Sequence, residues 1–216
     1  MATERVRAEP RWPITLAVLA AIALQLGTPH HGQLAWWWIF PVLEVALLIL
    51  MVARDPGRID ARTRAARRVT VALIVVLTGG VLFSAGRLIY EILEHQDLTA
   101  GVLLGRGAAI WLANVIVFSL WYWEFDRGGP VARAYVEQVA PAFAFPENAT
   151  PELVPDAASW VPRYPDYLYL AFTNATAFSP TDTLPLRTWA KMTMMVQSIV
   201  SLAIAILVIA RAINVL

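Results

Sequence analysis

Cysteine is absent from the 216-residue chain. Its absence excludes disulfides, thiolate nucleophiles and cysteine-based metal sites. Charge is scarce as well: Asp, Glu, Lys and Arg together make up 15% of the residues, against roughly a quarter in a soluble domain. The formal net charge is only +1, so no basic surface argues for nucleic acid as a partner. Gly-x-Ser-x-Gly, His-Glu-x-x-His and a phosphate-cradling glycine loop are all missing, so nothing points to an enzyme or calls for a cofactor. No apolar run carries arginine at every third position, which excludes a voltage sensor. No long internal repeat is visible; the two Asn-Ala-Thr triplets at 148–150 and 174–176 stand alone.

What the chain does contain is long apolar runs. Hydrophobic residues make up 58% of it, and the mean hydropathy is +0.58. The expected fold class is therefore all-α, a polytopic transmembrane helical protein. Five spans can be drawn, at 13–26, 35–53, 69–93, about 103–123 and 186–215. A spanning helix needs about 20 apolar residues, whereas barrel strands alternate over about 9–11. The first run is short enough for a signal peptide, but Gln25-Leu26-Gly27-Thr28-Pro29 lacks a small-residue cleavage site, so it is read as a span. Tryptophans near most span ends fit an interfacial belt, and Pro41 and Gly79-Gly80 invite kinks or close packing inside the second and third spans.

Arginine sets the expected orientation. Six of the 15 residues from Arg54 to Arg68 are arginine, which places this linker in the cytoplasm by the positive-inside rule. The N-terminus is then cytoplasmic too, in what reads as a bacterial plasma membrane. Segment 124–185, with eight acidic residues and three arginines, follows on the inner side. Three parts result: a four-span bundle over 1–123, a strap or linker over 124–164, and a re-entrant element plus final span over 165–216. Asp126-Arg127-Gly128-Gly129-Pro130 is turn chemistry. Residues 131–140 suit a short amphipathic helix. The proline-rich 141–165 stretch carries Phe143, Phe145, Leu153 and Trp160, and reads as a strap packed against the membrane surface.

Charges inside spans are the first candidates for function, because each costs roughly 2.5–3.5 kcal/mol at mid-bilayer on insertion scales. Glu44 lies near the middle of the second span, and Asn114 and Gly79-Gly80 fall at similar depth. A midplane cluster of these groups reads either as a proton or cation site or as a hydrogen bond pinning helices. Arg87 and Glu91 stand at i,i+4, the spacing of a helical ion pair. Arg106 is placed to snorkel to the outer interface. His30, His31 and His95 lie in outer links near acidic residues, but their spacing matches no zinc signature. The last span carries polar residues on one side: Thr188, Lys191, Met195, Ser198, Leu202 and Ala205 form one seam, and Thr193, Gln197 and Ser201 a neighbouring row. Lys191 is within reach of Asp182 or Asp166, or of the interface. The Lys191–Gln197–Ser198 side reads as helix glue or as the wall of a water path.

The most unusual stretch is 165–185, directly before the last span. It is too short and polar to cross a bilayer and too aromatic for an ordinary loop, the layout of a re-entrant helix-loop. Its candidate pore residues are Thr173, Asn174, Thr176, Ser179, Thr181 and Asp182. Two resemblances attach to it. Pro165-Asp166-Tyr167-Leu168-Tyr169-Leu170-Ala171-Phe172-Thr173, the later Asp182 and the closing Ile213-Asn214 resemble an uncharacterised family of small bacterial multi-span membrane proteins, which implies a shared fold and no assigned activity. Tyr169, Phe172, Thr173, Thr176, Asp182 and Pro185 also follow the order of the pore helix and filter of tetrameric potassium channels. Phe178-Ser179-Pro180 stands where that filter has glycines, and Pro180 fixes its own φ and restrains Ser179. The resemblance implies a pore-loop shape without potassium selectivity.

Three functions follow as expectations. The first is a channel-like protein, a homo-oligomer passing a monovalent ion or small solute. The second is a non-transporting interaction or assembly protein that uses the strap. The third is a proton-coupled carrier centred on Glu44. The lipid bilayer is a partner in all three.

Overall fold

The computed structural model describes residues 8–27, 38–54, 59, 64–94, 99–135, 139–150, 152, 160–177 and 182–215. Helix α1 is Trp12–Leu26, α2 Ile39–Arg54, α3 Arg64–Leu93 and α4 Ala100–Phe125. A 3-10 turn at Asp126–Gly128 and a short α5, Pro130–Ala134, follow. Strand β1 is Phe143–Ala144, α6 Pro146–Ala149, α7 Tyr164–Ala177, β2 Leu184–Pro185 and α8 Thr188–Val215. Among the described residues the fold is all-α apart from one two-stranded antiparallel ribbon.

Local chemistry sets the helix ends. Pro13 stands in the first turn of α1, and the Gly27 N–H closes the helix on the Ala23 carbonyl. The Thr99 side chain caps α4 by accepting from the Val102 N–H. At the far end of α4, Arg127, Gly128 and Gly129 all take positive φ, at 51°, 77° and 97°. A Cβ on Gly129 would stand 2.8 Å from the Glu124 carbonyl oxygen, so this reversal requires glycine. The α5 helix stops at Ala134, short of the amphipathic helix expected over 131–140, because Tyr135 leaves helical geometry.

Three helices are long and apolar enough to cross a bilayer: α3, α4 with its 3-10 extension, and α8. Helix α1 has 15 residues and α2 has 16, about 22–24 Å at 1.5 Å per residue, short of a ~30 Å hydrocarbon core. The described residues thus supply three full-length apolar helices and two shorter ones where five spans were expected. Residues 28–37 lie outside the described residues.

Helix α4 is the central post. It packs against α1, α3, α7 and α8, while α2 lies to one side on α3 and α1. Fourteen α4 residues are buried, against four in α2, so α2 is the peripheral helix. Helix α8 runs antiparallel to α4: Trp189 meets Phe125, Ser201 meets Asn114 and Val208 meets Gly107. Helix α7 is also antiparallel to α4, with Tyr164 beside Ser119 and Phe172 beside Trp111. The ribbon returns the chain to the end from which α7 set out. Phe143 pairs with Pro185 and Ala144 with Leu184, and the Phe143 ring touches Tyr122, Tyr167 and Trp189. The strap therefore closes the end of the bundle, with Phe145 tilted against Trp160 and edge-to-face with Tyr167. Leu153 lies outside the described residues.

Candidate functional site

The polar residues of α7 and α8 converge on Gln197, which is fully buried. Its Oε1 accepts from the Tyr122 hydroxyl at 2.6 Å and from Asn174 Nδ2 at 2.8 Å. Its Nε2 donates to the Ala171 carbonyl at 2.8 Å. Asn174 Nδ2 also donates to the Met194 carbonyl, and Ser198 Oγ donates to the Asn174 carbonyl at 3.5 Å. One level further along α8, Asn114 Nδ2 donates to Ser201 Oγ at 2.9 Å and to the Gln197 carbonyl at 3.4 Å. Ser119 and Tyr164 share a hydrogen bond at 2.9 Å beside this cluster. Asn114, Asn174, Gln197, Ser198 and Ser201 are singled out by position in the sequence. Tyr122 and Ser119 are not; Tyr122 lies eight residues, about two turns, from Asn114 on α4, and Ser119 carries no signal beyond its place in the same span.

The cluster is uncharged, and its hydrogen-bonding groups pair with one another except Asn114 Oδ1, which has no partner among the described residues. Of the candidate pore residues, Thr173 is buried and donates within its own helix to Leu170, and Asn174 is buried in the cluster. Thr176 is exposed and donates to Phe172 and Thr173. Asp182 is exposed and accepts from the Tyr169 hydroxyl at 3.4 Å. Ser179 and Thr181 lie outside the described residues. Lys191 is exposed, and Asp166 accepts the Arg163 N–H.

The seam expected on α8 is turned relative to the bundle. Lys191, Met195 and Leu202 are exposed and Ser198 is half-buried, whereas Ala190, Met194, Gln197, Ser201, Ile204, Val208 and Ala212 face inward. Hydropathy alone did not reveal which of two adjacent rows packs. The inward row is the one that meets Gly107, where a Cβ would lie 2.9 Å from both Val208 methyls.

The expected midplane cluster divides in two. Asn114 belongs to the α4–α8 contact. Glu44, 0% exposed, instead meets α1 and α3: its Oε1 accepts from Gln25 Nε2 at 3.2 Å and lies against Gly80. Its Oε2 has no hydrogen-bond partner among the described residues. Gly79 gives room to the Phe40 ring. A crevice between α1, α3 and α4, too narrow to admit water, is lined by Leu24, Gln25, Val81, Ser84, Ala109, Ile110 and Ala113. Gln25 and Ser84 are its only polar side chains, too few to replace an ion's hydration shell.

Charged networks occupy the two ends. Arg87 Nε and Arg106 Nη1 both bond Glu91, at 2.9 and 2.6 Å. Arg106 is thus buried in an ion pair and does not snorkel, because the Glu91 carboxylate on α3 captures it. At the other end Asp126 Oδ1 accepts from the Ala142 N–H and Oδ2 from the Tyr167 hydroxyl, both at 2.6 Å. Arg133 bonds the Trp123 and Asp126 carbonyls and Glu9, whose second oxygen accepts from Trp123 Nε1. Burial pushes the Tyr167 phenol well above its usual range, opposed by Arg133 and reinforced by Asp126; Tyr167 stays a donor. Arg67 joins α3 to Glu124 at 3.1 Å. Among the described residues no group of three His, Asp or Glu side chains is placed to hold a metal. His30, His31 and His95 lie outside them.

The three long apolar helices make this a protein suited to membrane insertion. No family model, curated protein or solved structure matches the chain.

Proposed function

We propose that the chain is a non-transporting integral membrane protein, an assembly or interaction partner whose re-entrant α7 is a structural wedge. The observation that carries this reading is the Gln197 cluster. The buried polar side chains that a path through the protomer would use are bonded to one another. Gln197 lies nine residues beyond the first residue of α8, about 13 Å along the axis, so α7 reaches that depth before the chain returns through β2. Irregular backbone is tolerated at such depth where protein buries it. Arg67 bonds Glu124, so the strap lies at the end of the bundle that carries the arginine linker; the positive-inside rule reads that end as cytoplasmic, and a cytoplasmic protein is the expected partner. The test is monovalent-cation flux in proteoliposomes together with purification in mild detergent. The expected outcome is no flux above protein-free liposomes, no effect of Asp182→Asn and a stoichiometric co-purifying protein. Flux that Asp182→Asn alters overturns it.

A second reading has its own support. Pro165, Tyr169, Phe172 and Thr176 form an exposed row on α7 at 4-3-4 spacing, with Asp182 beside Tyr169. Copies that joined through this row would enclose Thr176 and Asp182 in a constriction between protomers, a channel of the pore-loop kind. An oligomer in detergent together with Asp182-dependent flux distinguishes it from the first reading; a flux-free monomer excludes it.

A further inference from the structure

Helix α2 buries one narrow stripe, Pro41, Glu44, Leu48 and Met51, at 3-4-3 spacing. A carboxyl group sits in the middle of this otherwise apolar stripe. Glu44 is 0% exposed, receives a single amide hydrogen bond and has one oxygen without a partner among the described residues. The position is built tightly. A Cβ at Gly80 would stand 2.5 Å from Gln25 Oε1 and 3.0 Å from Glu44 Oε1, so a larger residue there would push the two side-chain tips out of this arrangement.

Among the described residues no charge compensates the carboxylate. Helix α1 contains no ionisable residue between Trp12 and Leu26. On α3, positions 69–86 are free of them; Arg64, Arg67 and Arg68 lie at one end, and Arg87, Tyr90 and Glu91 beyond the other, with Arg87 bound to Glu91. On α2 itself the only other charge is Arg54. Arg11, from the segment before α1, donates to the Met51 carbonyl two turns away. An ionised carboxylate with one neutral donor in such a place is costly, and the neutral acid is not.

We propose that Glu44 is a proton-binding site, a carboxylic acid that holds and exchanges one proton at the junction of α1, α2 and α3, with Gln25 fixing its orientation. The ligand is the proton itself: the unpartnered Oε2 carries it, while Oε1 keeps the Gln25 bond. This site is separate from the Gln197 cluster and stands whether or not the chain conducts ions.

Infrared spectroscopy of the full chain in lipid bilayers tests it. The expected result is a protonated-carboxyl C=O band at neutral pH that disappears on alkalinisation and is missing from Glu44→Gln. In Gly80→Ala, where the added methyl displaces the Gln25 amide, the band shifts because the hydrogen bond to Oε1 is lost. An unmodified chain gives a second readout. A lipid-soluble carbodiimide takes up the acid's O–H across one C=N bond, the proton to nitrogen and the carboxylate oxygen to carbon, and the product rearranges to a stable acylurea without a leaving group. Mass spectrometry should find this adduct on Glu44 with a yield that falls as pH rises. Identical infrared spectra of the wild type and a folded Glu44→Gln across the pH range overturn the proposal, as does a folded wild type that forms no adduct on Glu44 at any pH.

Discussion

At the residue scale, Gln197 binds two other helices through one side chain. Replacing it with leucine leaves the Tyr122 hydroxyl without its acceptor, the Ala171 carbonyl without its side-chain donor and the Asn174 amide with the Met194 carbonyl alone. A buried orphan costs roughly 1–3 kcal/mol, and interhelical bonds in membranes average nearer 0.6. Gln197→Leu should therefore lower stability by about 2 kcal/mol in a denaturant titration in micelles, with Asn174→Ala and the double variant non-additive. The glycines offer a sharper contrast. Gly107→Ala meets two Val208 methyls at 2.9 Å, whereas Gly86, Gly101 and Gly105 have nothing within 4 Å of an added Cβ. The same titration should show Gly107→Ala costing about 1–3 kcal/mol by overpacking, and Gly105→Ala neutral or stabilising by about 0.5–1 kcal/mol through helix propensity. The sequence flags Gly79-Gly80 but cannot separate Gly107 from Gly105, because clearance is a property of the neighbouring helix.

At the element scale, long apolar runs are the most legible feature, and α3, α4 and α8 fall where hydropathy places them. Short elements are not: α5, α6 and the ribbon depend on contacts between the strap and the bundle end. The α3–α4 pair is held by Glu91 between two arginines. Because Arg106 is 5% exposed, Glu91→Gln leaves a buried unpaired charge and should cost about 3–5 kcal/mol. Arg87→Ala, at the more open arginine, should cost less; thermal unfolding of the two variants side by side checks the order. Among the helices longer than one or two turns, α2 has the fewest buried residues, and ionising Glu44 should loosen it. In the cysteine-free chain, a single Leu48→Cys should react with a small thiol reagent faster at high pH in the Glu44 background than in Glu44→Gln at the same pH.

For the whole molecule, absence of cysteine makes topology directly measurable. Single cysteines at Thr28 and Thr63 should differ: an impermeant maleimide should label position 28 in intact cells and position 63 only after permeabilisation. The reverse pattern inverts the proposed orientation and moves the strap to the outer surface.

Composition and the apolar runs by themselves determined that this is a helical chain suited to a bilayer, because hydrophobic length follows from local sequence. The i,i+4 spacing likewise announced the Arg87–Glu91 pair, and turn chemistry announced the Asp126–Pro130 reversal. Tertiary structure decided everything that depends on which faces meet: the rotation of α8 that turns Gln197 inward and Lys191 outward, the separation of Glu44 from Asn114, and the capture of Arg106 by Glu91. In a chain where almost every helical face is apolar, hydropathy cannot distinguish the side that packs from the side that meets lipid. The few buried polar groups and close-packed glycines make that choice, and their partners lie on other helices.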